Sequence, residues 1–223
     1  RDRDLGGVNM AICVIKATTQ LGPQFVLTPE RYNPKRRMNL SDENDGVLLS
    51  EIITLENDIV ASKKDASAWY QINTSDAMGG YLRVPSNPEQ LNSNKKVLKT
   101  GDVIISRLRP YLRQVAYVDT DSNSQLCAST EFYVLRARNN ESIAFLVPFL
   151  LSEAAQTVFA NSVEGSQHPR FKEEDILNLV IPSELFEERE KISQDISNAI
   201  NQYREYEKSL GSAISRVNGI MPA

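Results

Sequence analysis

Apolar residues occur in short runs of β type through the first part of the chain and change to helical spacing after about residue 140. Residues 103–105 form a continuous β-branched run directly after the turn signal Thr100-Gly101-Asp102, which predicts a buried strand. Residues 115–118 and 130–135 predict two further strands, and residues 68–72 another. Together they indicate a small β-sheet with a cationic, aromatic-bearing turn at its edge, between residues 106 and 114.

The remaining β-type runs are less specific. Residues 10–15 and 24–27 resemble strands, and residues 47–55 fit either a strand or a short helix. Residues 84–94 are rich in Pro, Asn and Ser and predict a loop. Trp69 is the only tryptophan, and we expect it in the core, the alternative being a position facing a ligand.

The pattern from residue 143 to residue 159 is helical, with Pro148 either early in the helix or at a kink. A polar loop over residues 164–171 and a helix-like turn over residues 174–180 follow.

The last segment is the most regular. Ser183 is a typical N-cap residue. Apolar residues then recur at alternating steps of four and three, the a/d spacing of a heptad, over roughly 50 Å of helix. We expect this stripe to pair with another helix, in a coiled coil or a helical hairpin, rather than to lie on the sheet. The stripe is formed by Ile192, Ile196, Ala199, Tyr203, Tyr206, Leu210, Ala213 and Val217.

The composition is that of an ordinary globular protein, with 223 residues, 41% hydrophobic and 24% charged. The length allows one domain with an appendage. Cys13 and Cys127 lie far apart, which excludes a disulfide framework and fits a reducing cytoplasm, the localisation that we expect. We expect no membrane span and no signal peptide. Because the chain opens on Arg1, we expect a processed or excised piece of a longer protein.

The net charge of −4 is unusual for a nucleic-acid-binding protein, but the charge is unevenly distributed. Between residues 95 and 113 the only acid is Asp102, whereas acids dominate between residues 184 and 208. The basic residues could bind phosphates or a guanine edge, or they could be the solvated surface of a hairpin. The basic residues of this segment are Lys95, Lys96, Lys99, Arg107, Arg109 and Arg113.

Motifs for catalysis are missing. The only histidine, His168, cannot build a His/Cys metal cluster. There is no glycine-rich nucleotide-binding motif, no Asn-Pro-Pro-Tyr motif of amino-methyltransferases and no Glu-x-Lys motif of metal-dependent nucleases. We therefore expect no catalytic residues, no metal and no cofactor.

Three motifs in a fixed order carry a family resemblance. Residues 98–112 read LKTGDVIISRLRPYL, residues 129–135 read STEFYVL, and residues 165–171 read GSQHPRF, followed by Ile181-Pro182. In this order they resemble the target recognition domains of the specificity subunits of type I restriction–modification systems. Residues 31–34, RYNP, resemble a tag that often precedes such a domain. The resemblance spans roughly residues 30–218.

The resemblance implies a non-catalytic module that reads DNA. Members of the family usually carry two recognition domains, each reading half of a bipartite site, with long helices that pair as an antiparallel coiled coil and dock the methylating subunits. This chain has one recognition domain and one helix. It could be a half-subunit that dimerises, or the specificity tail of a larger polypeptide that carries the methyltransferase upstream.

We therefore expect an α+β fold, with a small twisted and mostly antiparallel sheet, flanking helices and a long C-terminal coiled-coil helix. The expected divisions are an N-terminal extension or linker (residues 1–40), a DNA target recognition domain (41–182) and a coiled-coil spacer or dimerisation helix (183–220). The expected partners are double-stranded DNA, a methyltransferase subunit, possibly a restriction subunit and a second copy through the helix, with no membrane.

The residues expected to bind DNA are those of the basic segment, Tyr111 in its turn and three polar residues of the later loop. The alternative function is a coiled-coil protein-interaction module whose β-domain does not bind DNA. The expected DNA-binding residues are Lys95, Lys96, Lys99, Arg107, Arg109, Tyr111, Arg113, Gln167, His168 and Arg170. The expected helix-pairing residues are Ile192, Ile196, Tyr203, Leu210 and Val217.

Overall fold

A computed structural model describes residues 46–62, 67–120, 125–163 and 167–221. The strand-like runs at residues 10–15 and 24–27, and the basic tag at residues 31–34, lie outside these ranges. The strands are β1 (Val47–Leu48), β2 (Ile53–Glu56), β3 (Ile59–Val60), β4 (Ala68–Ile72), β5 (Glu89–Gln90), β6 (Lys95–Val97), β7 (Val103–Ser106), β8 (Val115–Tyr117), β9 (Leu126–Ser129), β10 (Phe132–Ala137) and β11 (Val180–Ile181). The helices are α1 (Leu49–Ile52), α2 (Leu146–Leu151), α3 (Glu153–Ser162), α4 (Glu173–Leu177), α5 (Ser183–Glu187) and α6 (Arg189–Ile220).

The central sheet is antiparallel, with the strand order β2-β10-β7-β8. Strand β7 is buried along its whole length because both faces of this sheet are covered. Val103 and Ile105 belong to a core shared with the helices, whereas Ile104 belongs to a core shared with the second sheet. This double burial explains why the predicted strand is a continuous apolar run instead of an alternating one.

The second sheet has the order β3-β6-β9-β4-β5 and is antiparallel except between β4 and β9. Its inner residues, such as Ile72, Leu126 and Ala128, pack against Phe132 and Val134 of the central sheet. Helices α2, α3 and α4 cover the other face of the central sheet. The predicted class, an α+β fold with mostly antiparallel sheets, flanking helices and a long C-terminal helix, is confirmed.

A buried ion pair joins the turn before β7 to the end of β10. The Asp102 carboxylate is 1% exposed, accepts two hydrogen bonds of 2.8 Å from the Arg136 guanidinium, and accepts the Lys99 backbone N–H at 2.7 Å. Arg136 also contacts Glu56 at 2.8 Å, and the bonds to Asp102 raise its pKa. The Gly-Asp pair of the sequence motif is therefore structural, since Gly101 takes a φ of +94° and Asp102 anchors the strand pair.

Two helix predictions are corrected. The segment from residue 143 does not run unbroken to residue 159, because Ser152 ends α2 and caps α3 by accepting the Ala155 N–H. Pro148 lies within the first turn of α2, which is the early position that was one of the two predicted for it, rather than at a kink. Ser183 is not an N-cap residue; it begins α5, and Glu188 separates this short helix from α6.

Helix α6 is docked over its first half and projects over its second. Ser193 is buried, with its hydroxyl accepting the Phe145 N–H at 3.1 Å, and Ile200 is buried on the same face two turns further along. Arg204 forms an ion pair with Asp119, and Tyr81 donates to Glu207 at 2.5 Å. Beyond Glu207 all described residues of the helix are exposed.

Candidate nucleic-acid interface

Two arginine-bearing segments that are far apart in sequence meet beside the end of the central sheet. The turn after β7 contains Arg107, Arg109 and Arg113, and the segment before α4 contains Arg170. The Arg109 N–H donates to the Pro169 carbonyl at 2.9 Å, and the Phe171 N–H donates to the Arg107 carbonyl at 3.3 Å. These backbone bonds hold the two segments side by side as one surface, which we name the interface loops (residues 107–113 and 167–171).

The first interface loop has an unusual backbone. Arg109 and Arg113 both take a φ of 51°, the left-handed region that disfavours side chains with a Cβ. A 3-10 turn over Pro110–Leu112 lies between them. Residues other than glycine in this region cost energy and persist only where the surrounding structure holds them in place. Such residues cluster at functional sites. Here the loop presents Tyr111, which is 65% exposed, at its tip.

Glu131 is the centre of the charged cluster. Its carboxylate accepts two bonds from Arg170, at 2.7 and 2.9 Å, and one from Arg107 at 3.2 Å. These arginines hold the pKa of Glu131 below its usual range, the bonds from Arg170 having the largest effect. The two guanidinium groups stay more than one third exposed, so one carboxylate orients two cations that still face solvent.

Lys96 joins this cluster from the second sheet. Its Nζ lies 5.8 Å from the centre of the Tyr133 ring, and the Cζ of Arg107 lies 6.0 Å from the same centre. Burial, followed by repulsion from Arg107, lowers the pKa of Lys96. Tyr133 itself donates to the Phe171 carbonyl at 3.1 Å, which ties the cluster to the second interface loop.

The other two lysines of the basic segment do not join the cluster. Lys95 is 7% exposed and points to the opposite face of the second sheet from Lys96, because successive side chains of a strand alternate. Lys99 is exposed in the turn before β7, at the other end of that strand from Arg107. The single cationic cluster that the spacing suggested is therefore divided among three places.

The remaining expected residues lie in or beside the interface loops. Gln167 and His168 are exposed in the second loop. Arg113 is exposed and forms an ion pair with Glu153 at 2.6 Å, which lowers the charge that it can offer to a ligand. The acids Glu173 and Glu174 border the surface at the start of α4. Arg109 has no ion pair with another residue in the described ranges.

Sequence reasoning missed the roles of Glu131 and Tyr133. Both lie in the segment that carries the family resemblance, yet an acid within a cationic site is not an obvious choice for a DNA-binding residue. A signal existed in the register, since an acid directly before β10 faces the arginine directly after β7 once the two strands pair. That pairing could not be deduced from either strand alone.

The expected helix-pairing residues fall into two groups. Ile192 packs against the helix-side core, Ile196 lines a groove with Val147 and Leu151, and the Tyr203 ring lies 4.2 Å from that of Tyr81. These three contact their own domain. Leu210 and Val217 are 45% and 56% exposed on the projecting half.

The described residues provide neither a cluster of metal ligands nor a helix suited to a membrane. They contain no group of three or more His, Cys, Asp or Glu side chains that could hold a metal ion. None of their helices combines the length and the apolar character that crossing a membrane requires.

The sequence is similar to a known specificity subunit. It is 23% identical over 130 residues to the specificity subunit of the type I restriction enzyme EcoDI of Escherichia coli, covering 58% of this chain and 28% of that protein. No protein-family model matches the chain. The matched protein is a specificity subunit rather than an enzymatic subunit, in agreement with the predicted non-catalytic role.

Solved structures give the same result for the fold. A chain from a study of complex assembly and conformational transition of the type I restriction–modification system matches with a TM-score of 0.56 and 24% identity, over 81% of this chain and 48% of that one. The HsdS subunit from Thermoanaerobacter tengcongensis matches with a TM-score of 0.52 and 23% identity, over 78% of this chain and 46% of that one. The chain spans less than half the length of each relative.

The fold is that of type I specificity subunits. In sequence and in fold the chain resembles these subunits, which confirms the resemblance drawn from its motifs.

The ion pairs of Glu131 with Arg107 and Arg170 predict that the stability of the fold depends on pH. Because the pKa of Glu131 is lower in the folded state, its contribution is complete above about pH 4.5, the ordinary value, and is lost as the pH falls through the folded value. The difference in unfolding free energy between the wild type and Glu131→Gln, from urea denaturation, should therefore be constant above about pH 5 and shrink below it. Glu51→Gln, an exposed substitution on α1, serves as the control. A difference that stays constant down to about pH 3 would contradict this role.

Proposed function

We propose that residues 41–182 form a target recognition domain that binds a specific sequence of double-stranded DNA, as the specificity module of a restriction–modification complex. The observation that carries the proposal is the meeting of the two interface loops, which brings Arg107 and Arg109 of one loop beside Arg170 of the other, with the buried Lys96 behind them at the Tyr133 ring. In this proposal DNA methylation and cleavage belong to other polypeptides or domains, with which the module assembles.

The arginine geometry suits duplex DNA. The planar guanidinium forks of Arg107 and Arg170 are oriented by Glu131 and remain solvent-facing, so they can engage phosphates or a guanine edge with little further loss of side-chain freedom. The Arg109 backbone is bonded to Pro169 of the second loop, and Arg109 forms no ion pair among the described residues, so its charge is available for a phosphate. Tyr111, Gln167 and His168 supply polar and aromatic groups at the rim.

The double substitution Arg107→Ala with Arg109→Ala should weaken duplex binding by about tenfold or more, because each lost phosphate contact removes counterion release. It should also reduce the slope of log affinity against log salt by roughly 1 for each contact. Fluorescence anisotropy with a labelled duplex over a range of salt concentrations measures both quantities.

A matched control for this experiment is Arg138→Ala. Arg138 is exposed at the far end of β10, where its guanidinium donates to the Ser50 carbonyl at 3.0 Å. The Arg138→Ala variant should bind DNA with the same affinity and salt dependence as the wild type. Unchanged affinity and slope in the Arg107/Arg109 double variant would refute the proposed interface.

We also propose that the projecting half of α6 pairs with another helix, as the spacer or dimerisation element of residues 183–220. Its exposed apolar side chains continue the stripe beyond the docked half and support this proposal, and they also favour the alternative of a protein-interaction module. The exposed apolar side chains of this half are Tyr206, Leu210 and Val217 of the stripe, with Ile214 and Ile220 in addition.

Self-association through α6 can be tested without disturbing the domain. Leu210→Glu with Val217→Glu should convert a dimer to a monomer in analytical ultracentrifugation, because both residues lie beyond the docked half. Ser212→Glu with Ser215→Glu adds the same charge to the opposite side of the helix and should leave the dimer intact. A wild type that is monomeric at every concentration would contradict a homodimer.

A further inference from the structure

A polar cavity lies on the outer face of the second sheet, the face turned away from the central sheet. Its volume is about 400 Å³, and strands β4, β5 and β6 form its floor with the loop before β5. Trp69 lines it and is half-buried outside both cores, so the expectation of a core position is wrong. The residues used below are Trp69, Gln71, Asn87, Glu89 and Lys95.

Trp69 and Glu89 are fixed next to each other by strand pairing. They are directly opposed partners in the antiparallel β4–β5 pair, so both side chains stand on the same face of the sheet. Gln71 extends this arrangement by donating its amide to the carbonyls of Glu89 and Gln90, at 3.4 and 3.0 Å. The cavity thus combines a flat indole surface with a carboxylate that can accept hydrogen bonds.

Lys95 supplies the complementary donor. The residue as a whole is 7% exposed, it lines the same cavity, and it forms no ion pair among the described residues. An oxygen or ring nitrogen that entered the cavity would therefore accept a charge-assisted hydrogen bond from the Lys95 ammonium group. The exposed amide of Asn87 can donate and accept at the rim.

We propose that this cavity binds a nucleobase that is neither paired nor stacked in a duplex. A base has a flat face for Trp69, ring-edge acceptors for Lys95, and N–H donors for Glu89. Guanine fits best, because O6 and N7 can accept from a lysine while N1–H and N2–H can donate to a carboxylate. The inference is independent of duplex binding at the interface loops. The cavity lies on the outer face of the second sheet, whereas Lys96 points to the inner face.

The protein carries its own reporter for this test, because Trp69 is its only tryptophan. Titration of the full chain with deoxyguanosine monophosphate should quench the tryptophan fluorescence and saturate. The base-free control, 2-deoxyribose 5-phosphate, should leave the fluorescence unchanged. No saturable quench by the nucleotide, or an equal quench by the sugar phosphate, would overturn the proposal.

Two substitutions locate the effect. Lys95→Met and Glu89→Gln should each weaken nucleotide binding by about tenfold, whereas Lys99→Met, at an exposed lysine in a turn, should not. Glu89 is exposed, so its variant keeps the test valid if the Lys95 variant fails to fold. Nucleotide affinity that is unchanged in Glu89→Gln would refute the assigned contact.

The two sources of such a base can be separated. A duplex with one unpaired guanine should quench Trp69 if the cavity takes a base from a strand, whereas a quench by the mononucleotide alone identifies a site for free nucleotides. A fully paired duplex should leave Trp69 unchanged in either case. Because duplex affinity is measured separately by anisotropy, failure of the base site and failure of the interface loops give different results.

Discussion

The pairing of β7 with β10 is the constraint on which the rest of the structure depends. Residues 103–106 of β7 and 132–135 of β10 are all buried, and the register of the pair sets Phe132 opposite Ser106 and Leu135 opposite Val103. An ion-pair cluster consequently stands at each end of the strand pair. Asp102 with Arg136 closes one end, and Glu131 with its two arginines closes the other.

This arrangement explains how a rigid core can present oriented, partly exposed cations to a ligand. The Asp102 carboxylate is buried and its arginine is 21% exposed, whereas the two arginines at the end closed by Glu131 are more than one third exposed. The interface loops extend from the exposed end, and their backbone bonds hold the left-handed residue Arg109 in place. Because Glu131 already orients the two arginine side chains, they lose less conformational entropy when they bind a ligand. The negative charge of Glu131 offsets part of their positive charge.

The fold was predictable from sequence where burial and periodicity agree. The continuous apolar run predicts β7, the β-type run at residues 68–72 predicts β4, and the heptad spacing of apolar residues predicts the long helix α6. The site was predictable only in part, because it depends on strand pairing and on which face a side chain takes. Lys95 and Lys96 are adjacent in sequence and point to opposite sides of a sheet, so their apparent cluster with Lys99 does not exist in three dimensions.

The central claim is that the interface loops read a DNA sequence, and selection from a pool of randomised duplexes at about 150 mM salt tests it most directly. We expect sequencing of the retained duplexes to give one enriched motif. Two inverted halves at a fixed gap would indicate a dimer through α6, and a single half-motif would indicate one domain acting alone. Retention without any enriched motif would show that the arginines bind phosphates only, and would contradict sequence recognition by this chain.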